Sequence, residues 1–160
     1  MEQSRTLVLR SGEKWFKVVD MQRLLLSGTF DHTLDPKGRV TLPARYREHF
    51  QHGAVLVRFP GGEPCISVFH PDAWSDFDAK HLEPLDEFES SRDSWKTRMI
   101  YMNQDLVEPD RQGRVLLPAH HVKDLGLAGK VTIIGSRTHL EIWDPTTLAS
   151  REQQMGGADA

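Results

Sequence analysis

A chain of 160 residues is the length of one ordinary domain, or of two small halves sharing a core. With 38% hydrophobic and 27% charged residues it has the apolar mass for a core and lacks the bias of a fibre or a disordered tail. The formal net charge of −3 excludes a protein coated in positive charge, no run approaches the ~20 apolar residues that span a bilayer, and one cysteine, Cys65, excludes an internal disulfide.

Read in chain order, "MEQSRTLVLRSGEKWFKVVD" carries an apolar patch too short for a signal peptide, so the protein is expected to stay in the cytoplasm. Residues 1–20 are expected to be a mobile arm or the product of a start assigned too far upstream. "LLLSGTF" (24–30) reads as a strand, and Val40 to Leu42 as a short second one. A short helix follows Pro43, where a first turn accepts proline, with Tyr46 and Phe50 as its packing face. Strands at 54–59 and 65–69 flank the turn-forming "PGGEP", and a helix starts at Pro71. Residues 86–102 predict a longer helix whose Phe88, Trp95, Met99 and Met102 form a stripe for the core or for a subunit contact. "QDLVE" (104–108) and Val115 to Leu117 read as strands, followed by a helix from Pro118 with Val122 and Leu125 facing inward. Strands at 130–135 and 138–143 flank "GSRT", a helix begins at Pro145, and the tail "REQQMGGADA" is expected to fray. Cys65, among apolar neighbours, predicts a buried thiol.

The order repeats. Asp35, Gly38, Arg39, Val40, Leu42, Pro43 and Ala44 recur as Asp110, Gly113, Arg114, Val115, Leu117, Pro118 and Ala119, at a constant offset of 75. The expected organisation is therefore a first repeat over 21–81, a connecting helix over 82–103, a second repeat over 104–148 and a tail over 149–160. Charge is local: residues 72–93 hold eight acids against Lys80 and Arg92, whereas residues 35–47 hold Lys37, Arg39, Arg45 and Arg47 against Asp35. One basic working face and an acidic back would show that split.

"DPKG" fits a type I turn, with Asp35 first, Pro36 second and Gly38 fourth, and "DRQG" fits it nearly as well. The Asp35 or Asp110 carboxylate can accept backbone N–H groups two or three residues on, making the turn rigid. Lys37 or Arg111 at the tip and Arg39 or Arg114 after the glycine then project from a fixed mount. A turn of this kind followed by Arg is a common hairpin, but packing does not require the same cation in both halves. The guanidinium partner is either the aspartate four residues earlier, as a clamp, or a phosphate or guanine edge that suits its planar fork.

"GTFDHTLDPKGRVTLPARYRE" with a second "DRQGRVLLPA" resembles the MraZ family, bacterial DNA-binding regulators related to AbrB-type swapped-hairpin β-barrels, over roughly residues 21–148. The resemblance implies an α+β fold of two tandem pseudo-symmetric swapped-hairpin β-barrel repeats with short helices, forming one compact unit. It implies chains associated into rings, with Asp35–Arg39 and Asp110–Arg114 contributing to DNA binding. It also implies action, typically as a repressor, at short direct repeats in the promoter of the division and cell-wall gene cluster containing the chain's own gene. His120 and Val122 stand where the first half has Arg45 and Arg47, so the second helix would hold DNA more weakly.

The DNA-binding set is thus Lys37, Arg39, Arg45, Arg47, Arg111 and Arg114, with Asp35, Gly38, Asp110 and Gly113 shaping the turns. The partners are double-stranded DNA and further copies of the chain, with no membrane, no small-molecule substrate, no cofactor and no catalytic role. Eight histidines invite a metal reading, but His120 and His121 are expected to point in different directions, and no H-E-x-x-H or cysteine pair occurs. No nucleophile elbow, P-loop or dinucleotide fingerprint is present. Two rival readings are a non-catalytic ring-forming interaction module, in which Arg39 and Arg114 bridge subunits, and an AbrB-like antitoxin.

Overall fold

In the computed structural model, residues 24–85, 88 and 90–156 are described with their side chains, and 7–11 and 14–18 by backbone alone. β1 (Leu7–Ser11) and β2 (Lys14–Val18) form an antiparallel two-stranded sheet, Leu7 opposite Val18. The rest of the expected arm lies outside the described residues.

The first strand of the repeat begins later than its apolar run predicts. β3 spans Thr29–Thr33, because the backbone turns at Gly28, whose φ of 99° suits glycine. Ahead of that turn, Leu26 exchanges backbone hydrogen bonds with Arg137 and crosses so close to Gly135 that a Cβ there would lie 2.3 Å from the Ser27 nitrogen. β4 (Arg39–Thr41) follows the first turn. A 3-10 turn, Ala44–Tyr46, and the short α1 (Arg47–Phe50) bury Tyr46 and Phe50 as their spacing predicts. β5 (Ala54–Val57) and β6 (Ile66–Phe69) are buried along their whole length. α2 (Pro71–His81) starts at a proline and is capped by the His70 ring, which accepts the Asp72 N–H.

α3 (Ser91–Tyr101) is shorter than expected, since Ser90 caps it by accepting the Asp93 N–H, and Phe88 precedes it. Its buried residues are Ser94 and Ile100, so the Trp95, Met99 and Met102 stripe is exposed and not core. β7 (Gln104–Val107), β8 (Arg114–Leu116) and α4 (Ala119–Leu125) repeat the first half, and Gly126 in the left-handed region ends α4. β9 (Lys130–Gly135), β10 (Leu140–Trp143) and α5 (Pro145–Gly156) complete the chain. α5 carries helix to Gly156 within the segment expected to fray, and residues 157–160 lie outside the described residues. Arg151 grips Glu63 with two hydrogen bonds of 2.9 and 2.7 Å and ties the helix to the β5–β6 loop.

The fold is α+β. The main sheet is antiparallel and six-stranded, in the order β3-β9-β10-β6-β5-β7. Shifting each strand by the repeat offset exchanges β3 with β7, β5 with β9 and β6 with β10, and leaves that order unchanged. The first strand of each half therefore lies on the hairpin of the other half, β3 on β9 and β7 on β5. The expected closed barrel does not form among the described residues. β3 and β7 are the two edges of an open sheet, and β4 and β8, only three residues each, form a separate two-stranded ribbon. One core cluster gathers Val40, Val115, Leu42 and Leu117 with Phe50, Leu56, Ile133 and Ile142. A second, aromatic cluster packs Phe69 and Val55 against Trp74 of α2 and Ile100 of α3. Cys65 is buried as a free thiol, and burial pushes its pKa up, which favours the protonated form.

Candidate nucleic-acid interface

The two aspartate turns are the same object built twice. In the first, the Asp35 carbonyl accepts the Gly38 N–H at 3.0 Å, and the Asp35 N–H reaches the Arg39 carbonyl at 2.9 Å. Gly38 has φ of 83°, so the turn is a type I turn closed by a glycine bulge. Asp35 Oδ1 accepts the N–H groups of Lys37 and Arg39 at 2.9 and 2.8 Å, and Oδ2 accepts Nε of Arg39 at 2.8 Å. In the second, Asp110 Oδ1 accepts Gln112 and Arg114 N–H at 2.9 Å each, Oδ2 accepts Nε of Arg114 at 2.7 Å, and Gly113 has φ of 76°. The Arg39 backbone N–H and then its guanidinium hold the Asp35 carboxyl below the usual carboxylate range, and Arg114 does the same for Asp110.

The turns also lock each other. Gly113 O accepts the Leu42 N–H and Gly38 O accepts the Leu117 N–H, both at 2.9 Å. Between them runs the β4–β8 ribbon, with Arg39 opposite Leu116, Val40 opposite Val115 and Thr41 opposite Arg114. Side chains alternate across a strand, so Val40 and Val115 face the core, 0% and 1% exposed. Arg39, Thr41, Arg114 and Leu116 therefore share the outer face. The two arginines lie on a diagonal of that face, about 7–8 Å apart by sheet geometry.

Of the two alternatives for the arginine partner, the structure shows the aspartate clamp. Each Nε is committed to its own aspartate, which fixes the fork. Among the described residues no hydrogen bond occupies the terminal nitrogens of Arg39 or Arg114, and their side chains stay 32% and 31% exposed. Lys37 and Arg111 are exposed at the tips. Such an array of fixed outward cations suits planar anionic or base-edge partners.

A scan of family models matches residues 25–94 and 100–156 to the family described as "MraZ protein, putative antitoxin-like". Among curated relatives, the transcriptional regulator MraZ of Micrococcus luteus is 37% identical over 137 residues, covering 82% of this chain and 92% of that protein. Those of Thermomicrobium roseum and Caldanaerobacter subterraneus are 33% and 34% identical, over 80% and 74% of this chain and 87% and 80% of the relatives. The chain belongs to the MraZ family.

Within this MraZ chain the halves are not equal. Arg47 reaches from α1 across to the second turn, where a Cβ at Gly113 would lie 2.7 Å from its stem, and its Nε donates to the Leu42 carbonyl at 3.1 Å. The matching place beside the first turn has Val122 instead of an arginine, and a Cβ at Gly38 would meet only the Leu117 carbonyl and Leu116 Cδ1, at 3.7 and 3.8 Å. There a groove of about 1120 Å³ opens between the first turn, β7 and α4, lined by Lys37, Leu106, Leu116 and Val122. Arg45 lies at the surface with its guanidinium 5.8 Å from the Phe30 ring. His120 and His121, expected to diverge, have ring centroids 4.0 Å apart: His121 turns inward, fully buried with no hydrogen bond to either ring nitrogen, and His120 folds over it. Thr41 and Leu116 were not among the residues singled out by the sequence. The signal was available, because on a ribbon whose Val40 and Val115 face inward the residues two away from each arginine must face outward.

Proposed function

We propose that this chain is a sequence-specific DNA-binding transcriptional regulator. Three curated relatives are named transcriptional regulator MraZ, and the geometry carries the DNA-binding reading through one observation: two guanidinium groups, each held by its own aspartate, stand on one exposed face of a two-stranded ribbon. A β-ribbon fits the major groove of duplex DNA, which is about 12 Å wide, and fixed forks can grip phosphates or base edges there. Lys37 and Arg111 at the tips and Arg45 on the flank add phosphate contacts, while Arg47 adds charge and braces the second turn. The reciprocal exchange of β3 and β7 supports the swapped-hairpin architecture over two repeats, 21–81 and 104–148. Pairing of Arg39 and Arg114 inside the chain weighs against the rival in which they bridge subunits.

A handful of cations on a chain of net charge −3 gives few phosphate contacts per copy. Self-association into a ring multiplies them, and copies engaging direct repeats in a promoter gain a hundredfold or more through avidity, by rough estimate. Trp95 and Met99, exposed on α3, and Met102 just after its end supply a surface for that association. Among the described residues no helix is long and apolar enough to cross a membrane. We place the protein at the nucleoid in the cytoplasm, acting as a repressor of the division and cell-wall cluster that holds its own gene, without a cofactor or a catalytic step.

The test is fluorescence anisotropy on the DNA upstream of its own gene, titrated with salt, for wild type, Arg39→Ala, Arg114→Ala and the double variant. Each single change should cost about 1–3 kcal/mol and flatten the slope of log affinity against log salt by about 1, with assembly intact in sedimentation. Unchanged affinity in the double variant rejects the site, and loss of assembly restores the subunit-bridge rival.

A further inference from the structure

The outer face of the β4–β8 ribbon holds four residues, and only the two arginines match across the repeat. The other equivalent positions carry Thr41 in the first half and Leu116 in the second. Leu116 stands directly opposite Arg39 and remains 57% exposed. Its Cδ1 lies over the first turn, 3.8 Å from where a Cβ at Gly38 would sit. The side of that turn is open because Val122 occupies the place from which Arg47 covers the second turn. An exposed leucine alone calls for no explanation. This one is held on the same face as Arg39 and Arg114, within a single ribbon width of both, with Lys37 on the rim of the groove beside it. Any polyanion gripped by those cations is brought onto the leucine.

We propose that Leu116 is a specificity residue that packs against the C5-methyl group of a thymine in the major groove, beside the base step gripped by Arg39. The inference rests on the DNA-binding reading and deepens it by naming a base. The major-groove edge of thymine presents a methyl group that no other base carries, and an apolar side chain is the partner that recognises it. The same recognition is weaker at the pseudo-equivalent site, because Thr41 offers one methyl and a hydroxyl and lies beside a turn already filled by Arg47. The two halves therefore grip the backbone alike and read the bases differently, so the chain has a fixed polarity on its operator.

The experiment uses the full chain and synthetic duplexes of the DNA upstream of its own gene, each with one thymine replaced by deoxyuridine, which removes the methyl and nothing else. Wild type should lose about fourfold in affinity at one position per bound copy, the factor for one methyl-sized group withdrawn from water. Leu116→Ala should lose a similar factor on the thymine duplex and be indifferent to deoxyuridine there. Leu116→Thr, which copies the other half, should lie between, and its circular dichroism melt guards against a folding defect. Wild type that binds but ignores every deoxyuridine overturns the inference and leaves the DNA-binding reading standing. Leu116→Ala that stays as sensitive as wild type, or that changes only the sedimentation of the assembly, also overturns it, the latter by assigning the leucine to a second copy. Wild type that binds none of the duplexes removes both readings together.

Discussion

Gly38 and Gly113 share a left-handed backbone, yet their surroundings differ, and that difference is measurable. At either position an alanine adopts a φ near +80° at a cost of about 1–2 kcal/mol. Beside Gly38 a Cβ meets nothing closer than 3.7 Å, whereas at Gly113 it would overlap the Arg47 stem at 2.7 Å. Gly113→Ala should therefore be the more destabilising by about 1 kcal/mol or more, as overpacking of a close contact is. Combining it with Arg47→Ala should bring the cost down toward that of Gly38→Ala. Urea midpoints of Gly38→Ala, Gly113→Ala, Arg47→Ala and the double variant check this, and equal costs at the two glycines would mean that Arg47 does not brace the second turn. The glycines were readable from the turn pattern. The brace was not, since Arg47 and Gly113 are far apart in the chain and nothing local joins them.

Among the elements, α5 shows how a remote partner overrules local composition. "REQQMGGADA" reads as a polar end with little to bury, and none of the α5 residues is buried. The helix persists to Gly156, with Arg151 bidentate on Glu63 across the β5–β6 loop, and Glu63 draws the arginine charge into place while its own pKa falls. Both side chains are partly exposed, so solvent screening leaves the pair only a small share in global stability. Arg151→Ala should accordingly leave the thermal midpoint within a few degrees, by rough estimate. Amide exchange in the last turns of α5 should rise in the same variant. Unchanged exchange there would show that the helix does not depend on Glu63. The short ribbon strands follow the opposite rule: β4 was legible because Val40, between Arg39 and Thr41, marks a two-residue period, and the repeat carries that reading to Val115 in β8. β3 was only half legible, because the chain turns at Gly28 to let Leu26 pair with Arg137, and that pairing belongs to the other half.

For the whole molecule, the histidines set how stability varies with pH. Burial, then the charge of His70, lowers His49 to about 4, with Asp72 opposing. Burial also lowers His32, aided by Arg47, and His121, aided by His120 and Arg58. Each of these is kept neutral when folded, and its unfolded pKa is near 6.5, so the unfolded chain takes up protons first as the pH drops. Their stabilisation is complete above about pH 6.5 and declines below it, for His49 down to about pH 4. The His49 contribution has an upper bound of about 3 kcal/mol, reduced by the partial exposure of its ring. Asp35 and Asp110 act lower, their contribution being present above about 3.8 and lost as the pH falls through their depressed values. The urea midpoint should hold from pH 8 to 7 and fall between 6.5 and 4.5. His49→Phe should fall less steeply; an identical slope in that variant would remove His49 from the account.

The sequence alone determined the repeat, the two aspartate turns and the arginines that follow them. These are local matters, because a turn is set by glycine, proline and aspartate within a few residues of one another. It also placed the short helices after each proline and the strands of each hairpin. Tertiary structure alone decided that each half lends its first strand to the other, that the sheet stays open between β3 and β7, and that Arg39 and Arg114 come to one face with Leu116. The physical reason is that pairing between strands about 50 to 100 positions apart depends on which apolar faces can be buried together, and no short window of sequence records that.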